Sequence, residues 1–157
     1  MRQTRLGPRF RGDDEKGARV GVSVFAALLM LAQAGAAEEA TDCNDARTQM
    51  DMNLCAARDF EAADALLNEQ WAETSELMKA LDAEIDREFD SQPGHFETLL
   101  EGQRAWLTFR DAHCLADSFL ARGGSMQPML VSFCKAHLSQ QRTQQLRELT
   151  DSLSLQR

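Results

Sequence analysis

The chain has 157 residues, 17 of them basic and 25 acidic, for a net charge of −8, and it contains no tyrosine. An acidic balance disfavours nucleic acid as a partner, because binding to phosphates draws its affinity from Lys and Arg. Ala, Leu, Glu, Gln, Met and Arg predominate and β-branched residues are few, which is a helix-forming composition.

Residues 1–19 scatter Arg2, Arg5, Arg9, Arg11, Lys16 and Arg19 around Asp13-Asp14-Glu15, unlike the compact basic start of a secretory leader. Within them, Gly7 to Asp14 reads GPRFRGDD and resembles the translated product of a dispersed bacterial palindromic repeat. This stretch is read as an extension upstream of a true start nearer Val20. From Val20 to Ala32 runs VGVSVFAALLMLA, too short to span a bilayer comfortably and the right length for the apolar core of a signal peptide. Ala34-Gly35-Ala36 and Gly35-Ala36-Ala37 offer small-residue cleavage sites, leaving a chain that begins at Ala37 or Glu38. Thr41-Asp42 precede the first cysteine, where a lipid-acceptor signal would place a small neutral residue.

Residues 1–37 are therefore expected to be a signal peptide carrying that extension, and 38–157 a single exported domain, periplasmic or secreted. With the six basic and three acidic residues of 1–37 removed, 11 basic side chains face 22 acidic ones, a net −11. No membrane contact is expected after cleavage, and a charge of this size steers the domain toward a basic partner.

Thr48, with Asp51 three residues on, has the form of a capping box and opens the first predicted helix, which runs to about Phe89. Phe60, Leu67, Thr74 and Leu81 recur every seven residues, and Trp71, Met78 and Ile85 form an adjoining row, so one stripe is apolar. Ser91-Gln92-Pro93-Gly94 reverses the chain. A second helix is expected from Phe96 to Ala121, with Leu99, Leu100, Trp106, Leu107 and Cys114 inward, ending at Gly123-Gly124. Ser125 would cap a third, with Pro128 in its first turn and Met129, Phe133, Cys134, Leu138, Leu146, Leu149 and Leu153 inward. Short connections make neighbours antiparallel, so the expected fold is all-α: an elongated antiparallel helical hairpin with a third packed helix, stapled by disulfides.

Cys43, Cys55, Cys114 and Cys134 all follow the leader, and an exported chain is oxidised. Four cysteines allow three connectivities. Cys114 and Cys134 flank the Gly123-Gly124 turn by about ten residues each, which brings them level on antiparallel helices rising about 1.5 Å per residue. That ranks Cys114–Cys134 with Cys43–Cys55 first, while crossed pairing to the first helix stays open. No C-x-x-C occurs, and His95, His113 and His137 lack the tight spacing of metal ligands. Neither metal nor cofactor is expected.

Several polar residues fall on inward rows. Asp64 lies seven before Trp71, Arg110 lies four after Trp106, and Arg142 lies between Leu138 and Leu146. A buried charge needs a partner, so Asp64 is expected to pair with Arg110 or Arg142 and hold helix register, with Asn68 one turn on. These four form the expected structural polar core, and Trp71 and Trp106 the core aromatic anchors. A catalytic reading would match Asp64 with Asp111 or Asp117 as glycosidase carboxylates, but any acidic helical protein supplies such pairs, and no catalytic residue is assigned. Glu69, Glu73, Glu76 and Asp82, continued by Glu84, Asp86 and Glu88, form an acidic face: a solvated surface on the plain reading, a docking face for a cationic protein on the sharper one.

The string Cys43, Thr48-Gln49, Met52-Asn53-x-Cys55-Ala56, Asp64-x-x-Leu67-Asn68, Gln103-Arg104-Ala105-Trp106-x-x-Phe109-Arg110-Asp111-x-x-Cys114, Gly123-Gly124-Ser125, Cys134 and Arg142-x-x-x-Leu146 resembles the LprI-like N-terminal domain family. These are small exported bacterial helical proteins named for a lipoprotein regarded as a lysozyme inhibitor. The resemblance implies an all-helical, cysteine-stapled domain of the lysozyme-inhibitor type, with a basic protein such as lysozyme as the expected partner; no local motif signals a catalytic arrangement, and no enzymatic activity is expected. A structural or stress-related envelope protein is the alternative, and an envelope-polymer hydrolase a third.

Overall fold

A computed structural model describes residues 41–155; the expected leader and its expected cleavage site lie outside them. Among the described residues are three helices, α1 (Gln49–Glu84), α2 (His95–Asp117) and α3 (Gln127–Ser154), with a short 3-10 turn, Ser118–Ala121, after α2. The described part is all-helical and carries two disulfides.

The capping box that opens α1 is complete. Asp51 N–H donates to Thr48 Oγ1 and Thr48 N–H donates to Asp51 Oδ2, both at 3.1 Å, satisfying two of the donors a helix start leaves open. α1 ends at Glu84, short of the expected Phe89, because Ile85 turns extended. Beyond it the N–H groups of Phe89 and Asp90 close a turn on the Asp86 carbonyl. α2 gives way at Asp117 instead of reaching Ala121. Ser118, fully buried, donates its hydroxyl to the Leu115 carbonyl and accepts from Gln127 Nε2, and the chain tightens there into 3-10 form. Gly123 holds a φ of 75°, the left-handed region glycine enters without a Cβ penalty. The cap of α3 is Met126, not Ser125: the Ser125 carbonyl accepts from Asn53 Nδ2 on α1 at 3.0 Å.

α2 runs antiparallel to both neighbours, while α1 and α3 run parallel, with Asn53 beside Ser125 at one end and Thr74 beside Thr150 at the other. Their shared seam is the most extensive in the molecule, and it is built from small residues. Ala56, Ala63 and Thr74 of α1 and Ala136, Ser139 and Thr143 of α3 are all buried. Small side chains let two backbones approach closely. The Thr74 and Thr150 hydroxyls lie 2.9 Å apart across the seam, each also reaching a carbonyl one turn back in its own helix.

The apolar core sits where all three helices meet: Leu67, Met78, Leu99 and Leu146, with Trp71, Phe96, Trp106 and Leu149 packed against it and partly buried. Phe133, expected inward, is 48% exposed. It flanks the small-residue seam, where a phenyl ring would force α1 and α3 apart. Disulfides join Cys43 to Cys55, clipping the N-terminal segment to α1, and Cys114 to Cys134, with Cα atoms 5.6 and 5.4 Å apart.

Candidate functional site

Where the helices converge above the core, Arg110 of α2 is the hub, its side chain only 8% exposed. Nη1 donates to Asp64 Oδ1 on α1 at 2.7 Å and to Ser139 Oγ on α3 at 3.2 Å, and Nε donates to Asp111 Oδ1 at 3.1 Å. The guanidinium carbon lies 5.2 Å from the Phe60 ring centre and 5.3 Å from that of Trp106, within cation–π range. Lys135 of α3 reaches Asp111 at 3.1 Å, its ammonium 5.6 Å from the Phe60 ring centre. Two cations and two carboxylates thus tie three helices through one side chain, and Asn68 Nδ2 donates to Asp64 Oδ2 at 3.2 Å.

The electrostatics disfavour acid–base chemistry here. Burial pushes the Asp111 carboxyl upward, but hydrogen bonds from Lys135 and Arg110 outweigh it and leave the group below its ordinary range. A glycosidase acid needs the opposite, a carboxyl held protonated by its surroundings. Asp64 is occupied by Arg110 and Asn68, and Asp117 stands exposed on α2 outside the cluster.

Arg142 is not part of this network. Its Nε donates to Gln103 Oε1 at 2.9 Å and its Nη1 to Gln145 Oε1 at 3.2 Å, with Trp106 at 6.0 Å. Burial lowers its pKa, since the charged form has lost hydration.

Of the four acidic-face residues, Glu69, Glu73 and Glu76 stand exposed on α1, on the side away from the buried Leu67–Thr74–Met78 row. Glu73 accepts from Gln70, and Glu76 pairs with Lys79 at 2.9 Å. Asp82 does something different. Its carboxylate accepts the backbone N–H groups of His95 at 2.6 Å and Phe96 at 3.0 Å, capping α2 from a neighbouring helix. The Phe96 hydrogen bond is the largest influence holding that carboxyl below its ordinary value.

Ser139, Asp111 and Lys135 belong to the cluster, although hydropathy gave no reason to place them there; Phe60 joins them from the seven-residue row of α1. The available signal was spacing: Ser139, Thr143, Leu146 and Thr150 recur at intervals of three and four, a row of mostly small residues on one face of α3.

A family model described as lysozyme inhibitor LprI matches residues 40–146, which enclose both disulfides, the Arg110 cluster and Arg142. The chain belongs to the LprI family. An uncharacterized protein of Rhizobium meliloti strain 1021 is 44% identical over 125 residues, covering 80% of this chain and 90% of that protein. No solved structure matches. LprI membership and the paired cysteines fit an extracytoplasmic protein, since disulfides persist in oxidising compartments. No helix among the described residues is long and apolar enough to cross a membrane.

Proposed function

We propose that this chain is an exported binding protein of the lysozyme-inhibitor type, acting in the periplasm or after secretion, with residues 1–37 removed as its leader. It occludes a cationic glycosidase by surface complementarity and performs no chemistry of its own. Family membership supports this class. The observation that carries the mode of binding is the exposed Glu69–Glu73–Glu76 ridge of α1, on a domain with a net charge of −11 over residues 38–157. Such a surface raises the rate of encounter with a basic partner, and the rate falls as salt screens the attraction. The Arg110 cluster supports the ridge from behind by holding α1 in register with α2 and α3.

The test is titration of the exported protein into a lysozyme activity assay at low and moderate salt. Inhibition that weakens with salt, and weakens again when Glu69, Glu73 and Glu76 are replaced by Lys, supports the reading. Undiminished lysozyme activity at stoichiometric excess overturns it and favours an envelope protein with another partner, which crosslinking in the periplasm would capture.

A further inference from the structure

At the end of the molecule where α1 turns into α2, a cleft of about 430 Å³ opens between the helices, within the roughly 300–1,000 Å³ usual for small-ligand sites. Its wall is mostly apolar: Met78 from α1, Pro93 from the connection, Leu99 from α2, Leu149 and Leu153 from α3, with His95 and Thr98 at the start of α2 adding polar groups. The wall also contains Arg142. Among the described residues no carboxylate lies within ion-pair distance of that guanidinium; its partners are the neutral amides of Gln103 and Gln145. A half-buried cation held only by neutral acceptors lacks the counter-charge that normally offsets the cost of its burial. Arg110, one turn of α2 beyond Trp106, has two such partners.

A second observation concerns Gly102, which lies in the middle of α2 and lines the same cleft. A glycine there costs about 1 kcal/mol of helix stability relative to alanine. Packing does not require it, because a Cβ built at this position meets nothing within 4 Å. The missing side chain leaves one wall of the cleft open.

We infer that this cleft, with its apolar wall and unpaired Arg142, is a binding site for an anionic single-chain amphiphile, the alkyl chain against Leu99, Leu149 and Leu153 and the acidic head on the Arg142 guanidinium. A free fatty acid and a lysophospholipid both present that chemistry. The site is separate from the Glu69–Glu73–Glu76 ridge and does not depend on the inhibitor reading.

Calorimetric titration of the full exported protein tests it, with dodecanoate, dodecanol, dodecyltrimethylammonium, acetate and lysophosphatidylglycerol as probes. Dodecanoate is expected to bind at least about tenfold more tightly than dodecanol, the scale of one charge-assisted hydrogen-bonded contact, with the cationic amphiphile and acetate weaker still. Arg142→Met should erase the preference for the anion while retaining dodecanol binding, and Arg142→Lys should restore part of it. Gly102→Leu should abolish binding with thermal stability unchanged or raised, which separates a filled cleft from a damaged fold. If lysophosphatidylglycerol outcompetes dodecanoate, the source is a lipid; if dodecanoate wins, it is a free acid. Equal affinity for dodecanoate and dodecanol, acetate binding as tightly as dodecanoate, or undiminished binding to a folded Gly102→Leu variant would each overturn the assignment.

Discussion

Replacing Asp64 by Leu removes the carboxylate that Arg110 Nη1 meets at 2.7 Å and leaves the guanidinium, 8% exposed, with Ser139 and Asp111. Breaking a fully buried pair from one side costs about 3–5 kcal/mol, because the remaining charge is stranded. Here the loss is smaller, for two reasons. Asp64 is itself 34% exposed, so water screens part of the attraction, and Asp111 still neutralises Nε. We expect about 1–3 kcal/mol, which lowers the melting temperature by roughly 4 °C per kcal/mol in a domain of this size. Arg110→Met strands nothing comparable, since Asp64 can hydrate and Asp111 keeps Lys135. With the guanidinium gone, the loss of Asp64 strands no charge, so the double variant should be about as stable as Arg110→Met alone, giving a coupling energy of about 1–3 kcal/mol. Urea unfolding of all four proteins followed by far-UV circular dichroism measures the cycle. Additivity within about 0.5 kcal/mol, the behaviour of independent sites, would refute the claim that this contact holds the helices in register.

The Asp82 carboxyl is held below its ordinary value in the folded state, so its stabilisation is complete above the unfolded value of about 3.9 and fades as pH falls through the folded one. Melting temperature should therefore drop below about pH 4, and less steeply in Asp82→Ala, which lacks the cap at every pH; parallel slopes would count against it. Each disulfide closes a short loop, with sequence separations of 12 and 20, and removing either as a Cys→Ser pair should cost about 3 kcal/mol. Mild reductant with mass mapping should open Cys43–Cys55 first, because Cys43 is exposed whereas Cys114 is fully buried. In the α1–α3 seam, Thr74→Val should cost about 1 kcal/mol by breaking the contact with Thr150. Ser75→Ala, one residue on, should stabilise by a similar amount, since Ser75 Oγ is buried with no hydrogen-bond partner among the described residues; thermal melts that rank the two variants in the other order would contradict this account of the seam.

Seven-residue spacing located the inward row of α1 through Leu67 and Thr74, and the Thr48–Asp51 pair marked where that helix starts. Both depend on residues close together in the chain, so they could be read directly. Helix ends were less legible. Ile85 and Ser118 stop α1 and α2 early through local turns that an apolar period cannot register. Phe133 was misplaced for a related reason: hydropathy scores a phenyl ring as core material, whereas the face of α3 that packs on α1 is filled by alanine, serine and threonine. Such residues carry little hydrophobic signal, yet their size is what admits a neighbouring backbone.

The sequence by itself determined the helical class, the number of long helices, and the turns at Pro93-Gly94 and Gly123-Gly124. Only the tertiary structure decided which partner each inward charge received. It gave Asp64 to Arg110, left Arg142 with two amides beside an apolar cleft, and turned Asp82 from a surface acid into the cap of another helix. The physical reason is that periodicity specifies the direction of a side chain about its own helix axis. Partner choice depends on the separation and register of neighbouring helices, and those follow from the close, small-residue approach of α1 to α3.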